Sequence, residues 1–371
     1  MSPMAAFGDG ASVLRAILFD LDDTLIPEAA AIRGALAAAC GPLEELAGLP
    51  NGVLGEAVAA VGQASWQALD VTGIDARFGV TWEECLWGRF GPASQAQIPT
   101  LGALAVMLRR QVFTDALTAC GVRSPLGGEL EARFAMERRK RFVPYAEAPG
   151  LIQSLRDRAL LVGCATNGAS EVQREKLAAS GTGGWFDAVT VSAEEGVGKP
   201  DPAMIVKLCE ELGVSADQAI YVGNSRRRDV AASRAAGIPS VLIERFEPED
   251  EIPNPGARGA RKGVANPHEV PDRMVFEVHG ILGFVDGWRA GRAFRVVDGG
   301  RTPWSIDLPE PVDGRFVTRV GADDDPLRPL VTGSSPLAAI EAGLRSLRAR
   351  GNGRAFRHEL GEPIDWDALL R

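Results

Sequence analysis

Two carboxylates, Asp20 and Asp22, directly follow a short apolar run at 13–19 (Val-Leu-Arg-Ala-Ile-Leu-Phe). An aspartate in such a place can attack phosphorus and form an aspartyl phosphate. A second acid two residues on can protonate the leaving oxygen and then take a proton from the attacking water. The same pair would also serve simply as a turn cap after a strand. Farther along, Thr166-Asn167-Gly168 closes another apolar run, and a hydroxyl beside free backbone N–H groups can hold phosphate oxygens. Asn-Gly is equally a common turn dipeptide. Lys199 lies in Gly198-Lys199-Pro200-Asp201-Pro202, where a lysine pinned in a rigid turn can offset charge on a phosphate and on the acids. A solvated turn lysine fits the same residues. Asn224 and Asp229 offer two oxygen ligands to a hard cation such as Mg²⁺, although an Asn or Ser helix cap explains Gly223-Asn224-Ser225 as well.

These residues need strands to carry them. The run at 13–19, Leu160–Ala165, Ala188–Ser192, Ile220–Val222 and Ser240–Ile243 read as buried strands. Helices are expected between them over 169–180, Pro202–Leu212 and Arg228–Ala236. Strands alternating with helices predict an α/β fold, a doubly wound, Rossmann-like parallel sheet covered on both faces. Each candidate segment then falls at the carboxyl end of a strand, where open α/β sheets bind their ligands.

Between Pro27 and Glu147 the character changes to Ala-rich stretches with helical spacing, such as Leu54, Ala57, Val58 and Val61, then Leu104, Met107, Leu108 and Val112. This predicts a bundle of about six helices. A Pro-, Gly- and charge-rich loop is expected from Phe246 to Pro271, then an edge strand at Met274–Val278 with a short helix after it. Residues 293–371 read as a small α+β unit. Its strands are expected at Phe294–Val297, Trp304–Leu308 and Phe316–Val320. Its helix is capped by Ser334 or Ser335, starts near Pro336, carries Leu337, Ile340, Leu344 and Leu347 on one face, and ends at Gly351. The expected division is a core of 12–27 with 147–290, a helical insertion at 28–146, and an accessory unit at 293–371.

Composition narrows the function. A chain of 371 residues is long enough for two or three packed units. Its formal net charge of −9 argues against a nucleic-acid partner, which normally meets a basic patch. Five scattered cysteines with no CxxC pair suit reduced, buried thiols in a cytoplasmic protein. No apolar stretch long enough to span a membrane stands out, and the first ten residues lack a signal peptide's basic start.

Taken together and in order, FDLDDTL, CATNG, GKPDP and the pattern Gly223-Asn224-Ser225-Arg226-Arg227-Arg228-Asp229 resemble the four signature motifs of the haloacid dehalogenase superfamily. The QREKLAASG and AASRAAGI segments look similar too, and the resemblance spans about 13–245, more weakly 270–290. It implies a phosphatase-type, Mg²⁺-dependent hydrolase with an α-helical cap after the first motif. Asp20 would be nucleophile and metal ligand. Asp22 would be acid/base and lend its backbone carbonyl to the metal. Thr166 and Lys199 would bind the phosphoryl group with help from Asn167 and Gly168, while Asn224 and Asp229 would complete the metal site. One departure stands out: Asn224 occupies the position of the fourth motif's first acid, which removes one negative charge.

Asp22 separates the chain from haloacid dehalogenases and phosphonatases of the family, which lack the second acid. Asp23-Thr24, where sugar phosphomutases usually have Gly-Val, leans toward hydrolysis. A mutase, or a non-catalytic scaffold for the 293–371 unit, remains as an alternative. A cap of this size favours a small-molecule phosphate ester, with Trp66, Trp82, Trp87, Arg89 and Arg109 as candidate contacts alongside plain packing roles. Arg226-Arg227-Arg228 reads as a solvated basic run. The C-terminal unit would suit a homodimer surface, a lid or a partner-binding module.

Overall fold

The computed structural model describes residues 14–69, 72–122 and 124–243 continuously. Beyond them it describes 273–275, 281–282, 285, 292–297, 303–307, 310–312, 315–322, 330–333, 342–343 and 345–346. The first unit is built on six parallel strands: β1 (Ala16–Phe19), β2 (Leu161–Thr166), β3 (Ala188–Val191), β4 (Ala219–Gly223), β5 (Ser240–Ile243) and β6 (Arg273–Val275). Their spatial order is β3-β2-β1-β4-β5-β6. Ala16 therefore pairs with both Leu161 and Ala219, and β1 lies in the interior of the sheet. Here the fold class matches the sequence expectation of a doubly wound parallel sheet.

Alternation along β1 feeds two cores. Ile17 and Phe19 join Leu151, Leu155, Val162, Ile220 and Val222 on one face. Ala16 and Leu18 join Met204, Ile205, Leu208 and Tyr221 on the other. Each large apolar side chain among them contributes roughly 1.5–3 kcal/mol on leaving water. A strand buried on both faces has no polar side to show solvent, which is why it reads as a continuous apolar run.

Among the described residues of the insertion are seven α-helices: α1 (Glu28–Ala47), α2 (Val53–Ala68), α3 (Thr72–Phe78), α4 (Trp82–Trp87), α5 (Pro92–Gln97), α6 (Leu101–Ala119) and α7 (Gly127–Arg139). The sequence suggests about six; the short α3, α4 and α5 carry too few turns for their periodicity to separate them. Their core contains Leu54, Val58, Trp87, Leu108, Phe113 and Phe134, and it extends onto Ala169, Val172 and Ala193 of the sheet unit. The buried Glu44 carboxylate accepts from the N–H groups of Gly52 at 2.9 Å and Leu54 at 2.7 Å, and so satisfies the start of α2.

Around the sheet lie α8 (Ala148–Asp157), α9 (Ser170–Ala179), α10 (Ser192–Glu195), α11 (Ala203–Leu212) and α12 (Ala231–Ala235). Two stretches differ in kind from the sequence reading. Ser192 opens α10 rather than ending a strand, and the helix expected from Arg228 begins as a single π-turn, Arg226–Val230. The C-terminal strands β7 (Arg292–Val297), β8 (Pro303–Asp307), β9 (Glu310–Val312), β10 (Arg315–Ala322) and β11 (Leu330–Gly333) form an antiparallel sheet ordered β11-β10-β8-β7, with β9 beside β10. Two of these, β9 and β11, are absent from the sequence reading, being only three and four residues long. The loop at 246–271 lies outside the described residues. So does most of the helix expected from Ser334 to Gly351, of which 342–343 and 345–346 are helical. Among the described residues no helix is long and apolar enough to cross a membrane, and all five cysteines are free.

Candidate active site

The carboxyl ends of β1, β2 and β4 converge on one buried cluster with Lys199 at its centre. Asp20 leaves β1 with its N–H donating to Val222 O at 2.9 Å, which ties it to β4. Lys199 follows β3 and α10, and its peptide bond to Pro200 is cis. Its Nζ donates to Asp20 Oδ1 at 2.6 Å, Ala165 O at 2.7 Å, Asp229 Oδ1 at 2.7 Å and Tyr221 Oη at 2.9 Å. Asp229 comes from the π-turn and accepts the Ser225 N–H at 2.9 Å on its other oxygen. A Cβ on Gly223 would collide with the Asp229 side chain, so this approach requires glycine.

Burial raises the Asp20 carboxyl to about 7, with Lys199 opposing the rise and Asp229 and Asp22 adding to it. Lys199, although buried, is held above the usual lysine range by Asp20 and Asp229. A phenol among these carboxylates is likewise pushed up, as Tyr221 is by burial and Asp229.

Asp22 sits in the tight turn after β1, where Asp22 bridges Ile26. Its carboxylate accepts from Lys176 Nζ at 3.0 and 2.9 Å and from Gln173 Nε2 at 3.2 Å. Desolvation raises its carboxyl above the ordinary range, against the pull of Lys176. Asp23 adopts φ 56° and turns its carboxylate to the Ala29 N–H at 2.9 Å, capping α1.

The second motif is held differently from the sequence expectation. Thr166 Oγ1 donates to Gln173 Oε1 at 3.2 Å. Asn167 does not present its amide outward: Nδ2 donates to Lys199 O at 2.8 Å, and Lys199 N–H donates to Oδ1 at 2.9 Å. The Gly168 N–H donates to Phe78 O at 2.9 Å and Ser192 Oγ at 2.8 Å. Packed against the helical unit, these polar groups pair with the neighbouring chain. Gln173 links the halves, since its Nε2 also donates to Asn167 O at 3.0 Å. One network therefore joins Asp20, Asp22, Thr166, Asn167, Lys199 and Asp229. Gly168 adjoins it in the chain, and half-buried Asn224 stands at the end of β4, next to the Ser225 that binds Asp229.

Several partners escape the sequence reading: Tyr221, Gln173, Lys176, Glu28 and Glu84. Lys176 Nζ lies 3.2 Å from Glu28 Oε1, and Glu28 also pairs with Arg138. These two cations hold Glu28 below its usual value despite its burial. From α4, Glu84 accepts from Gln173 Nε2 at 3.0 Å and Ala169 N at 3.3 Å, and burial pushes its carboxyl to about 8. A signal for two of them exists in α9, whose inward residues Val172, Gln173, Lys176 and Leu177 put an amide and an ammonium on an apolar stripe.

Four of the five candidate contacts of the insertion serve packing or helix ends. Trp66 and Trp87 are core residues, and Trp82 lies against Gly62. Arg109 donates to Cys85 O at 2.6 Å and to Gly88 O, and Arg89 is exposed. Arg228 is not simply solvated: it pairs with Asp75 of α3 at 2.7 Å.

The profile of the haloacid dehalogenase-like hydrolases matches residues 14–237. The chain belongs to this family. Among its relatives, a phosphoserine phosphatase of Thermus thermophilus is 33% identical over 248 residues, 66% of this chain and 95% of that protein. A phosphoglycolate phosphatase of Rhodospirillum rubrum is 34% identical over 113 residues, 30% of this chain and 46% of that protein. Among solved structures, a hydrolase of the family from Bacillus subtilis bound to magnesium gives a TM-score of 0.47 at 20% identity, covering 74% of this chain and 99% of that one.

Proposed function

We propose that this hydrolase is a phosphatase that removes phosphate from a small soluble monoester through a phospho-aspartate at Asp20. The observation that carries the reading is Asp20 held 2.6 Å from the buried Lys199 ammonium, with Asp22 two residues beyond on a separate set of donors. The phosphatases among its relatives support a small ester such as phosphoserine or phosphoglycolate.

The donor set fits a hard cation. Asp20, Asp229, the Asn224 amide and the Asp22 backbone carbonyl are all oxygen donors of the kind Mg²⁺ takes. Burial raises the Asp20 carboxyl to about 7 against the pull of Lys199, with Asp229 adding to the rise, and a cation held there would favour the ionised nucleophile. Among the described residues no three His, Cys, Asp or Glu side chains gather as a ready cage; the proposed set contains only two carboxylate side chains. Mg²⁺ bound there would offset charge on the phosphoryl group and on Asp20.

The chain's own groups account for the rest. Asp20 attacks phosphorus while Asp22 gives its proton to the departing ester oxygen. Asp22 then takes a proton from water as that water displaces Asp20. Lys199 binds the phosphoryl oxygens, joined by Thr166 once its hydroxyl turns from Gln173. Asn167 helps at the phosphate through its backbone N–H while its side chain fixes the Lys199 backbone. The helical unit at 28–146 serves as the cap that excludes water, and 293–371 as an accessory unit that suits a homodimer surface. The five free thiols support a reducing compartment such as the cytoplasm.

The test is phosphate release from O-phosphoserine, phosphoglycolate, glyceraldehyde 3-phosphate and sugar phosphates, with and without Mg²⁺, for wild type and Asp20→Asn. Metal-dependent release abolished by that substitution is expected. A folded wild type that releases nothing from any ester refutes the reading.

A further inference from the structure

We infer that Lys176 is the positioning residue for Asp22, and that the helical unit sets its geometry through Glu28. The inference rests on the phosphatase reading above. Lys176 is 1% exposed, and its ammonium bridges both oxygens of Asp22 at 2.9–3.0 Å while standing 3.2 Å from Glu28 Oε1. Gln173, three residues earlier and on the same face of α9, adds a bond to Asp22 Oδ2 at 3.2 Å. An ammonium across both oxygens and an amide on one of them fix the plane of the carboxyl group as well as its place.

The far side of the chain of charges is equally fixed. Glu28 opens α1 and pairs with Arg138 near the end of α7. Arg138 is fully buried, with its guanidinium 5.1 Å from the Trp87 ring centre and 4.6 Å from that of Phe142. A run of alternating charges, Arg138–Glu28–Lys176–Asp22, thus leads from the core of the helical unit to the group that moves protons. Packing alone does not call for a cation here, since a buried ion pair is seldom more stabilising than apolar side chains of the same volume.

The chemistry gives such alignment a purpose. In the first half-reaction the Asp20–phosphorus bond forms and the bond from phosphorus to the ester oxygen breaks, and the Asp22 proton goes to that oxygen. In the second half-reaction water bonds to phosphorus, the Asp20–phosphorus bond breaks and the water's proton goes to Asp22. Both transfers need one Asp22 oxygen within hydrogen-bond reach of the same spot. Lys176 bonds Asp22 and Glu28 rather than the nucleophile Asp20, so its effect should depend on how much the leaving group needs a proton.

That dependence is the test. We would compare kcat/KM for the best alkyl phosphate of the panel with kcat/KM for p-nitrophenyl phosphate, whose phenolate departs without a proton. Lys176→Met should lower the alkyl value by about 10²-fold, through kcat and with KM little changed, while the aryl value falls by less than about ten-fold. Lys176→Arg should recover part of the alkyl loss. Equal losses on both esters would overturn the role, because a general disturbance of the site does not distinguish leaving groups. If Lys176→Met does not fold by circular dichroism, Glu28→Gln decides: a smaller but still alkyl-selective loss supports the role, and a parallel loss or no change overturns it. A wild type inert toward both esters refutes the phosphatase reading itself, whereas an active wild type with parallel losses refutes only Lys176.

Discussion

Replacing Lys199 with Met removes a cation from between two buried carboxylates, and the cost can be worked from the structure. Its Nζ lies 2.6 Å from Asp20 and 2.7 Å from Asp229, and lysine and Asp229 are each 2% exposed. At an effective dielectric of about 20, each contact is worth about 6 kcal/mol of gross attraction. Most of that is offset by the desolvation of the three charges, and breaking a buried pair typically destabilises by about 3–5 kcal/mol. The Ala165 carbonyl and the Tyr221 hydroxyl lose a donor as well. Lys199→Met should therefore destabilise by about 3–5 kcal/mol in urea unfolding at pH 7 without added Mg²⁺. The double variant Lys199→Met, Asp229→Asn should recover at least about 1 kcal/mol of it, as contacting residues are not additive. A loss below about 1 kcal/mol would show that the cluster is solvated, and additive effects in the double variant would show that the two groups do not share charge.

Two further outcomes follow from single residues. Glu84 keeps its proton up to about pH 8 when folded but loses it near 4.5 when unfolded, so its contribution to stability is intact below about 4.5 and falls as pH rises toward 8. Glu84→Gln should flatten the decline of the urea midpoint between those values, by a few kcal/mol at most; an unchanged slope would place the ionisation elsewhere. Asn224→Asp restores a negative charge beside Asp229 and should lower the Mg²⁺ concentration giving half-maximal turnover. An identical metal dependence would remove Asn224 from the metal set.

The strands were legible because burial on both faces leaves a run such as Ala16–Phe19 no polar residue. The motif residues were legible because they end those runs. Pairings across the sheet were not: Lys199 and Asp20 are 179 residues apart, and only the order of β1, β2 and β4 brings them together. Buried charges were hidden for a related reason. Lys176, Glu84 and Arg138 look like solvated residues in a sequence, and their enclosure arises from helices packing on the sheet unit. Asn167 shows another gap: nothing in the sequence tells that its side-chain amide is committed to the adjoining loop.

That commitment bears on how the protein ages. An asparagine followed by glycine is the sequence most prone to spontaneous deamidation, in which the glycine nitrogen attacks the side-chain carbonyl and closes a ring. Here the Asn167 amide is held at both ends by the Lys199 backbone, and the Gly168 N–H is engaged by Phe78 and Ser192. The nitrogen and the carbonyl are thus kept from turning toward each other. Folded protein in storage should lose ammonia from this site slowly, while unfolded chains lose it at the rate of a free peptide.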